Sequence, residues 1–268
     1  MAARGKFVSR DSITPPSRIL AATEGLRAVL EAATLLPSLP WLNSQPRGDG
    51  HHIYLLPGFL ATGASTTVLR AYLDRLGYQT SSWGFGRNLG PREDLASLIV
   101  ERVSQLSKRT GGPVSIIGQS LGGVFAREVA KTIPEYVRQV ITLGSPFGTS
   151  RDRTEGTNPL VMRFFEMANG ESISEIRGRM NNLQQPPPVP CTAIYSKTDG
   201  VVSWKSCIEQ DTPKSENIEI YASHCGMGFN PAVYYILADR LAQPENAWTK
   251  FERHGARNWV YPEAAYAS

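Results

Sequence analysis

The chain has 268 residues, 41% of them hydrophobic, which suits one large globular domain with a substantial core. Its net charge of +4 is scattered, and no dense basic run interleaved with aromatic residues suggests nucleic-acid binding. The three cysteines fit neither a disulfide framework nor a metal signature, and their odd number favours a reducing, cytoplasmic compartment. No apolar run reaches the roughly 18 residues of a membrane span, and no continuous apolar segment follows the basic N-terminus, so no secretory signal is predicted.

The N-terminal region is predicted to contain a helix. Residues 1–15 are expected to form a flexible arm, and apolar periodicity from about Ile19 to Leu36 then predicts a helix. One face of that helix is apolar, whereas its charged residues lie largely elsewhere. A helix packed on the main domain is favoured over a membrane-surface anchor, because the polar face carries both signs of charge. The apolar face comprises Leu26, Val29, Leu30, Ala33 and Leu36.

From His52 onward, short apolar segments alternate with helical patterns. This alternation predicts βαβ units and an α/β fold with a mostly parallel sheet flanked by helices. The predicted strands are Ile53–Leu56, Tyr78–Trp83, Val114–Ile117, Gln139–Leu143, Thr192–Tyr195 and Ile218–Tyr221. The predicted helices are Thr66–Leu76, Glu93–Lys108, Leu121–Lys131 and Pro231–Leu241.

Two segments fall outside this alternation. Residues 148–190 hold two helix-like stretches followed by three prolines, and they predict a small helical insertion. The tail is expected to clamp onto the domain through Trp248, Phe251, Trp259 and Tyr261. The predicted organisation is therefore an N-terminal arm and helix (1–49), a core (50–147 and 191–243), an insertion (148–190) and an aromatic tail (244–268).

The motif that carries chemistry is Gly118-Gln119-Ser120-Leu121-Gly122, a Gly-x-Ser-x-Gly sequence between a predicted strand and a predicted helix. This setting is that of a nucleophile elbow, where a tight turn excludes bulky side chains beside the serine and projects its hydroxyl above the sheet. The N-terminus of the following helix favours an oxyanion at the same point. The alternative is a glycine-rich phosphate-binding or packing turn.

With this motif, the chain resembles the α/β-hydrolase superfamily, and within it bacterial lipases and esterases, over residues 50–243. The resemblance implies the order Ser, Asp or Glu, His, with the histidine after the last strand. His224 fits that place, whereas His51 and His52 precede the first strand and His254 lies in the tail. His224 is therefore expected to be the base that activates Ser120.

Asp199 is the expected acid, because it follows the strand Thr192–Tyr195 and begins an Asp-Gly turn. Its expected role is to bond one ring nitrogen of His224 and to stabilise the imidazolium. Asp-Gly is also a common turn dipeptide, so a plain turn is the alternative. Glu209 and Asp211 are rival acids in a polar loop that fits less well.

The resemblance also implies an oxyanion hole formed by the backbone N–H groups of Leu121 and Phe59. The loop after the first strand reads Pro57-Gly58, where lipases often have His-Gly. The segment that begins Gly144-Ser145-Pro146 is expected to pack near the site, and Ser145 is not a second nucleophile because it lacks the elbow setting.

The implied activity is hydrolysis of a small-molecule or lipid carboxylic ester through an acyl-enzyme, without metal or other cofactor. The insertion at 148–190 is interpreted as a cap over the site, with Phe164 and Phe165 in the substrate pocket; the alternative is that they bury the cap against its own domain. A thioesterase or acyltransferase uses the same three residues and is the closest alternative. A non-catalytic binding protein is less favoured, as is a membrane surface as partner, and the sequence gives no oligomeric state.

Overall fold

The protein is described by a computed structural model over residues 6–8, 13–92, 94–148, 183–255 and 257–267. Its centre is a six-stranded sheet in the order β3-β2-β4-β5-β6-β7, in which every described pair of neighbours is parallel. The strands of this sheet are β2 (His52–Leu56), β3 (Gln79–Ser82), β4 (Val114–Gln119), β5 (Val137–Leu143), β6 (Cys191–Tyr195) and β7 (Ser215–Glu219). The expected mostly parallel α/β fold is confirmed.

Helices cover both faces of the sheet. The described helices are α1 (Arg18–Leu42), α2 (Thr67–Arg75), α3 (Leu95–Thr110), α4 (Leu121–Thr132), α5 (Pro231–Leu241) and the short α6 (Arg257–Val260). Apolar side chains of α2 and α5, together with Leu35 and Leu42 of α1, form one buried cluster with the sheet, and those of α3 and α4 form the other. This layering brings the carboxyl ends of all six strands to one edge.

The last strand of this sheet lies earlier than its apolar pattern suggested. β7 runs over Ser215–Glu219 rather than from Ile218 to Tyr221. Its polar Glu216 is buried, accepting hydrogen bonds from Thr192 (2.6 Å) and Arg240 (3.1 Å). Because these partners compensate the buried carboxylate, a strand forms where hydrophobic periodicity indicates none.

The long helix α1 packs on the domain through its polar side. Glu24 is buried, and so are Leu35 and Leu42 further along the same side. The apolar side that the sequence analysis singled out faces solvent instead: Leu26 is 66% exposed and Leu36 is 72% exposed. The helix also extends past its predicted end through Pro37 and Pro40.

The chain termini form a small second sheet. β1 (Lys6–Val8) pairs in parallel with β8 (Ala265–Ala267). The expectation of a flexible arm is therefore wrong for residues 6–8.

In the tail, Tyr261 is buried and packs edge-on against Phe251, with ring centroids 5.1 Å apart. Trp259 does not clamp the tail, because α6 presents it to solvent with 86% of its surface exposed.

Most of the predicted insertion, residues 149–182, lies outside the described residues, and so does the pocket pair Phe164 and Phe165. Within the described ranges, no helix combines the length and apolar character needed to cross a bilayer. The same ranges contain no group of three or more histidine, cysteine or acidic residues arranged to hold a metal ion.

Candidate active site

Ser120 stands at the sharp turn between β4 and α4, in a backbone conformation that L-residues rarely adopt. Its φ is 51° and its ψ is −123°. The Ser120 amide donates to the Leu143 carbonyl at 2.8 Å, which ties the turn to the end of the neighbouring strand β5. Among the described residues, the other non-glycine residue with positive φ is Leu60. Strain of this kind costs about 1–3 kcal/mol and persists where the surrounding structure enforces it.

The glycines of the motif are required by close backbone approach. A Cβ on Gly118 would lie far inside contact distance of Gly122, and a Cβ on Gly122 would collide with the Leu56 carbonyl. Gly123, one residue beyond the motif, is equally restricted, because its Cβ would overlap the Ser145 hydroxyl. The turn therefore accepts no larger residue at these positions.

Asp199 and His224 are brought together from separate loops. Asp199 follows β6 and His224 follows β7, and His224 Nδ1 lies 2.6 Å from Asp199 Oδ2. The other Asp199 oxygen accepts hydrogen bonds from the amides of Val201 and Val202, each at 2.8 Å. Both side chains are buried. The two backbone donors hold the carboxylate in place, so that it orients the imidazole.

The electrostatic surroundings favour the protonated imidazole. Burial of His224 acts to lower its pKa, but the attraction of Asp199, the hydrogen bond to it and the attraction of Glu24 together raise the pKa above its usual 6.5. A histidine so placed is a stronger base than a free imidazole.

Gly144 is the junction between the elbow and this pair. It follows Leu143, which holds the Ser120 amide, and a Cβ built on it would lie 3.1 Å from His224 Nδ1 and 3.2 Å from Asp199 Oδ2. Gln119 forms a second link, because its side chain donates to the His224 carbonyl at 3.1 Å. No hydrogen bond joins the Ser120 hydroxyl to the His224 ring among the described residues.

The loop after β2 abuts the nucleophile from the other side. A Cβ on Gly58 would lie 3.3 Å from Ser120 Cβ, and Phe59 is the next residue. Asn88, fully buried, holds this loop: its side chain donates to the Pro57 carbonyl at 2.9 Å, and its carbonyl accepts from the Leu60 amide at 2.7 Å. On the opposite side of Ser120, Leu121 begins α4, whose N-terminus carries partial positive charge.

The rival acids have other partners. Glu209 is completely buried in an ion pair with Arg127 of α4. Asp211 pairs with Lys250 near the surface. Neither carboxylate contacts His224, so Asp199 is the acid that the geometry favours.

Ser145 is buried, with its hydroxyl 3.4 Å from the Gly118 carbonyl, and it packs beneath the elbow.

A second Ser-His-Asp arrangement lies at the other end of the sheet. His51 Nδ1 is 2.5 Å from Asp49 Oδ1, and His51 Nε2 is 2.8 Å from the Ser115 hydroxyl. Ser115 is fully buried inside β4 and has no tight turn to present it to a substrate. We therefore interpret this cluster as structural, because a nucleophile needs exposure to substrate as well as hydrogen bonding to a base.

The sequence analysis placed the segment that begins at Gly144 near the site, but it missed the contacts through which several residues shape the site. Gly144 follows a predicted strand, which is a usable signal for a close approach at the sheet edge. Asn88 had no pattern to reveal it, and the motif that contains Gln119 did not indicate its hydrogen bond to the His224 carbonyl, since the partners of both residues are main-chain groups distant in sequence. The charged residues of α1 were placed only away from its apolar face, and in the structure Glu24 and Glu31 contact the loops that carry Asp199 and His224.

Comparisons with known proteins agree with this architecture. No family model matches the chain. The pimeloyl-acyl-carrier-protein methyl ester esterase of Salmonella heidelberg (strain SL476) is 27% identical over 147 residues, 52% of this chain and 55% of that esterase. The chain thus spans about half the length of the curated relatives it matches.

Two solved structures share the fold. The mature lipase of Bacillus licheniformis superposes with a TM-score of 0.54 at 13% identity, covering 75% of this chain and 95% of the lipase. An α/β-hydrolase enzyme from the metagenome of lagoon sediments in Morocco gives a TM-score of 0.50 at 20% identity, covering 72% of this chain and 90% of that one. The resemblance indicated by the elbow motif is confirmed at the level of architecture: the chain has the α/β-hydrolase fold.

Proposed function

We propose that the chain is a serine hydrolase of carboxylic esters, with Ser120 as nucleophile, His224 as general base and Asp199 as the acid that orients it. The observation that carries the proposal is the Asp199–His224 pair at 2.6 Å, beside the strand that holds Ser120 at a φ of 51°. The ester class is supported by the name of the curated relative, a methyl ester esterase.

The reaction begins when Ser120 Oγ attacks the ester carbonyl carbon and its proton passes to the free nitrogen of His224. The tetrahedral intermediate collapses, the C–O bond to the alcohol breaks, and His224 returns the proton to the departing alcohol. Water then attacks the acyl-enzyme by the same proton route, which releases the carboxylic acid and restores Ser120.

Charge develops at two points, and the site offers a partner for each. The imidazolium is stabilised by Asp199, whose orientation is fixed by the Val201 and Val202 amides. The oxyanion is assigned to the backbone N–H groups of Phe59 and Leu121, on the two sides of Ser120. Removing one such donor typically costs about 10²–10³ in kcat.

The substrate is a small-molecule or lipid ester, and no cofactor enters the steps above. Phe164 and Phe165 of the insertion are proposed to line its acyl pocket. A reducing, cytoplasmic compartment is proposed on the odd number of cysteines in the sequence.

The test combines active-site labelling with hydrolysis of p-nitrophenyl butyrate. A fluorophosphonate probe should label the parent protein and leave Ser120→Ala unlabelled, and that variant should lose about 10⁴ or more in kcat. Asp199→Asn should lose most of kcat because Asn favours the wrong imidazole tautomer, whereas Asp211→Asn is the matched control. Labelling at another residue, or hydrolysis that persists in Ser120→Ala, contradicts the proposal.

A further inference from the structure

We propose that helix α1 is a positioning element of the active site, in which Glu24 and Glu31 hold the two loops that carry Asp199 and His224. This inference rests on the proposed function. It assigns a role to a helix that lies outside the region of resemblance, residues 50–243, and that the sequence analysis treated as packing.

Glu24 connects the acid loop directly to the base loop. Its Oε2 accepts from the Gly200 amide at 3.0 Å, and its Oε1 accepts from the Cys225 amide at 2.8 Å. Gly200 follows Asp199 and Cys225 follows His224, so one carboxylate bridges the residues next to both members of the pair. The carboxylate is buried, and hydrogen bonds from neutral amides to a charged acceptor are about twice as strong as neutral ones.

Arg27, one turn further along the helix, binds the residue that precedes Asp199. Its guanidinium donates to the Thr198 carbonyl at 2.7 Å and to Glu24 Oε2 at 2.9 Å. The residues before and after Asp199 are therefore both bound to α1. The ion pair also partly neutralises Glu24, which reduces the cost of burying its charge.

Glu31 acts in the same way on the histidine loop. Its Oε1 accepts from the Ser223 amide at 2.6 Å, and its Oε2 accepts from the Asn230 side chain at 3.0 Å. With Cys225 bound to Glu24, the residues before and after His224 are both held by α1. The helix thus binds the main chain on each side of both catalytic residues.

The acid loop is shaped for this contact. A Cβ on Gly200 would overlap the Leu20 carbonyl of α1 and lie 2.6 Å from Glu24 Oε2, so only glycine allows the helix to approach this closely. The hydrogen bond between Asp199 and His224 joins the two side chains but does not by itself fix their common position relative to Ser120. Catalytic geometry needs positions held to about 0.5 Å, and main-chain anchors on both loops supply that restraint.

The charges on α1 also reach the catalytic loops. The groups facing His224 are Asp199 from the acid loop and Glu24 from α1, and both act to raise its pKa against the effect of burial. The neighbouring Cys225 is accessible at the surface, yet the pKa of its thiol is raised to about 11 by partial burial and by the charges of Glu24, Asp199 and Glu31. This thiol therefore reports on the α1 carboxylates independently of turnover.

The central experiment compares Glu24→Gln with Glu128→Gln. Both remove a carboxylate that pairs with a cation three residues ahead on a helix, but Glu128 pairs with Lys131 of α4 and does not contact the catalytic loops. In Glu24→Gln, the amide NH₂ group faces one of the two backbone donors. Hydrolysis of p-nitrophenyl butyrate should then lose about 10- to 100-fold in kcat with little change in KM, since small misplacements carry costs of this size.

Two further readouts separate positioning from simple support of the fold. The pH at which kcat/KM is half-maximal should fall in Glu24→Gln, because one attraction for the imidazolium is removed. Cys225 should react faster with iodoacetamide at pH 8, because its thiol pKa falls; Cys191 and Cys207 are buried and contribute little labelling. Glu128→Gln should match the parent in both measurements.

Glu31→Gln provides a second test in case Glu24→Gln does not fold, and it should lower kcat through the Ser223 anchor. The proposal is overturned if the folded variants keep the parental kcat and pH midpoint, even when they melt earlier. It is also overturned if the fractional loss of activity in each variant equals the fraction of that variant that is unfolded. If Ser120→Ala still hydrolyses the ester, the proposed function fails. The rate at which iodoacetamide labels Cys225 in Glu24→Gln still tests whether Glu24 holds the loop that carries His224.

Discussion

Gly144→Ala is the substitution that most directly probes whether the Asp199–His224 pair performs chemistry. Gly144 has a φ of +55°, and the added methyl would lie 3.1 Å from His224 Nδ1 and 3.2 Å from Asp199 Oδ2. It would also lie 3.1 Å from the Met227 sulfur. The methyl therefore presses on both members of the pair while leaving every proposed catalytic group in the chain.

Gly144→Ala is expected to have two effects: a loss of stability from the backbone conformation and a loss of kcat from the new contacts. Holding alanine in the left-handed region costs about 1–2 kcal/mol, of which roughly 0.4–1 kcal/mol is offset by the lower entropy of the unfolded chain. Restoring contacts of about 3.5 Å requires His224 Nδ1 and Asp199 Oδ2 to move by roughly 0.3–0.4 Å. Since a 1 Å misplacement can cost about 10²-fold, kcat should fall roughly tenfold.

Gly111→Ala is the matched control. Gly111 ends α3 with a φ of +75°, and its added Cβ would meet no atom within 4 Å. Both variants should lower Tm by a few degrees, about 2–4 °C per kcal/mol, but Gly144→Ala alone should lose kcat toward p-nitrophenyl butyrate. If the two variants lose equal stability and both keep the parental kcat, the space beside the pair is not needed for catalysis and the reasoning is refuted.

Four further outcomes are expected. Ser120→Gly should melt higher than Ser120→Ala in thermal unfolding, because glycine tolerates the positive φ; the reverse order would show that the turn is not strained. The kcat/KM of the parent should rise with pH through a midpoint above 6.5, because the raised pKa of His224 keeps the base protonated to higher pH; a midpoint below 6.5 would contradict the assignment. Arg127→Met should lower the free energy of unfolding by about 3–5 kcal/mol, because it leaves Glu209 buried without its partner, and a urea titration showing less than 1 kcal/mol would reject that view. Phe164→Ala should change the preference between short and medium acyl chains about tenfold; an unchanged profile with a lower Tm would assign Phe164 to packing.

The fold and the elbow could be predicted from local patterns, whereas the choice of Asp199 and His224 also used the order of catalytic residues that the resemblance to α/β-hydrolases implies. A Gly-x-Ser-x-Gly motif between a strand and a helix specifies a turn, and parallel strands bring the residues that follow them to one edge. Asp199 and His224 could therefore be placed near Ser120 without knowledge of any contact between them.

The orientation of α1 could not be predicted in this way. Hydrophobic periodicity locates an apolar face but does not say which side meets the protein, and here Leu26 is exposed while Glu24 is buried. The buried side is chosen by backbone amides of loops about 170–200 residues away, which leave no local pattern. Asn88 was missed for the same reason, because its partners are main-chain groups of another loop.

The contacts of α1 also bear on how such a protein divides into exchangeable parts. A chain cut to the region of resemblance, residues 50–243, would keep every proposed catalytic side chain, yet the amides of Gly200, Ser223 and Cys225 would lose their acceptors. The unit that can be transplanted between scaffolds is therefore larger than the fold that carries the chemistry. Anyone grafting the two loops into another hydrolase would have to carry the helix with them, or supply carboxylates from a different direction.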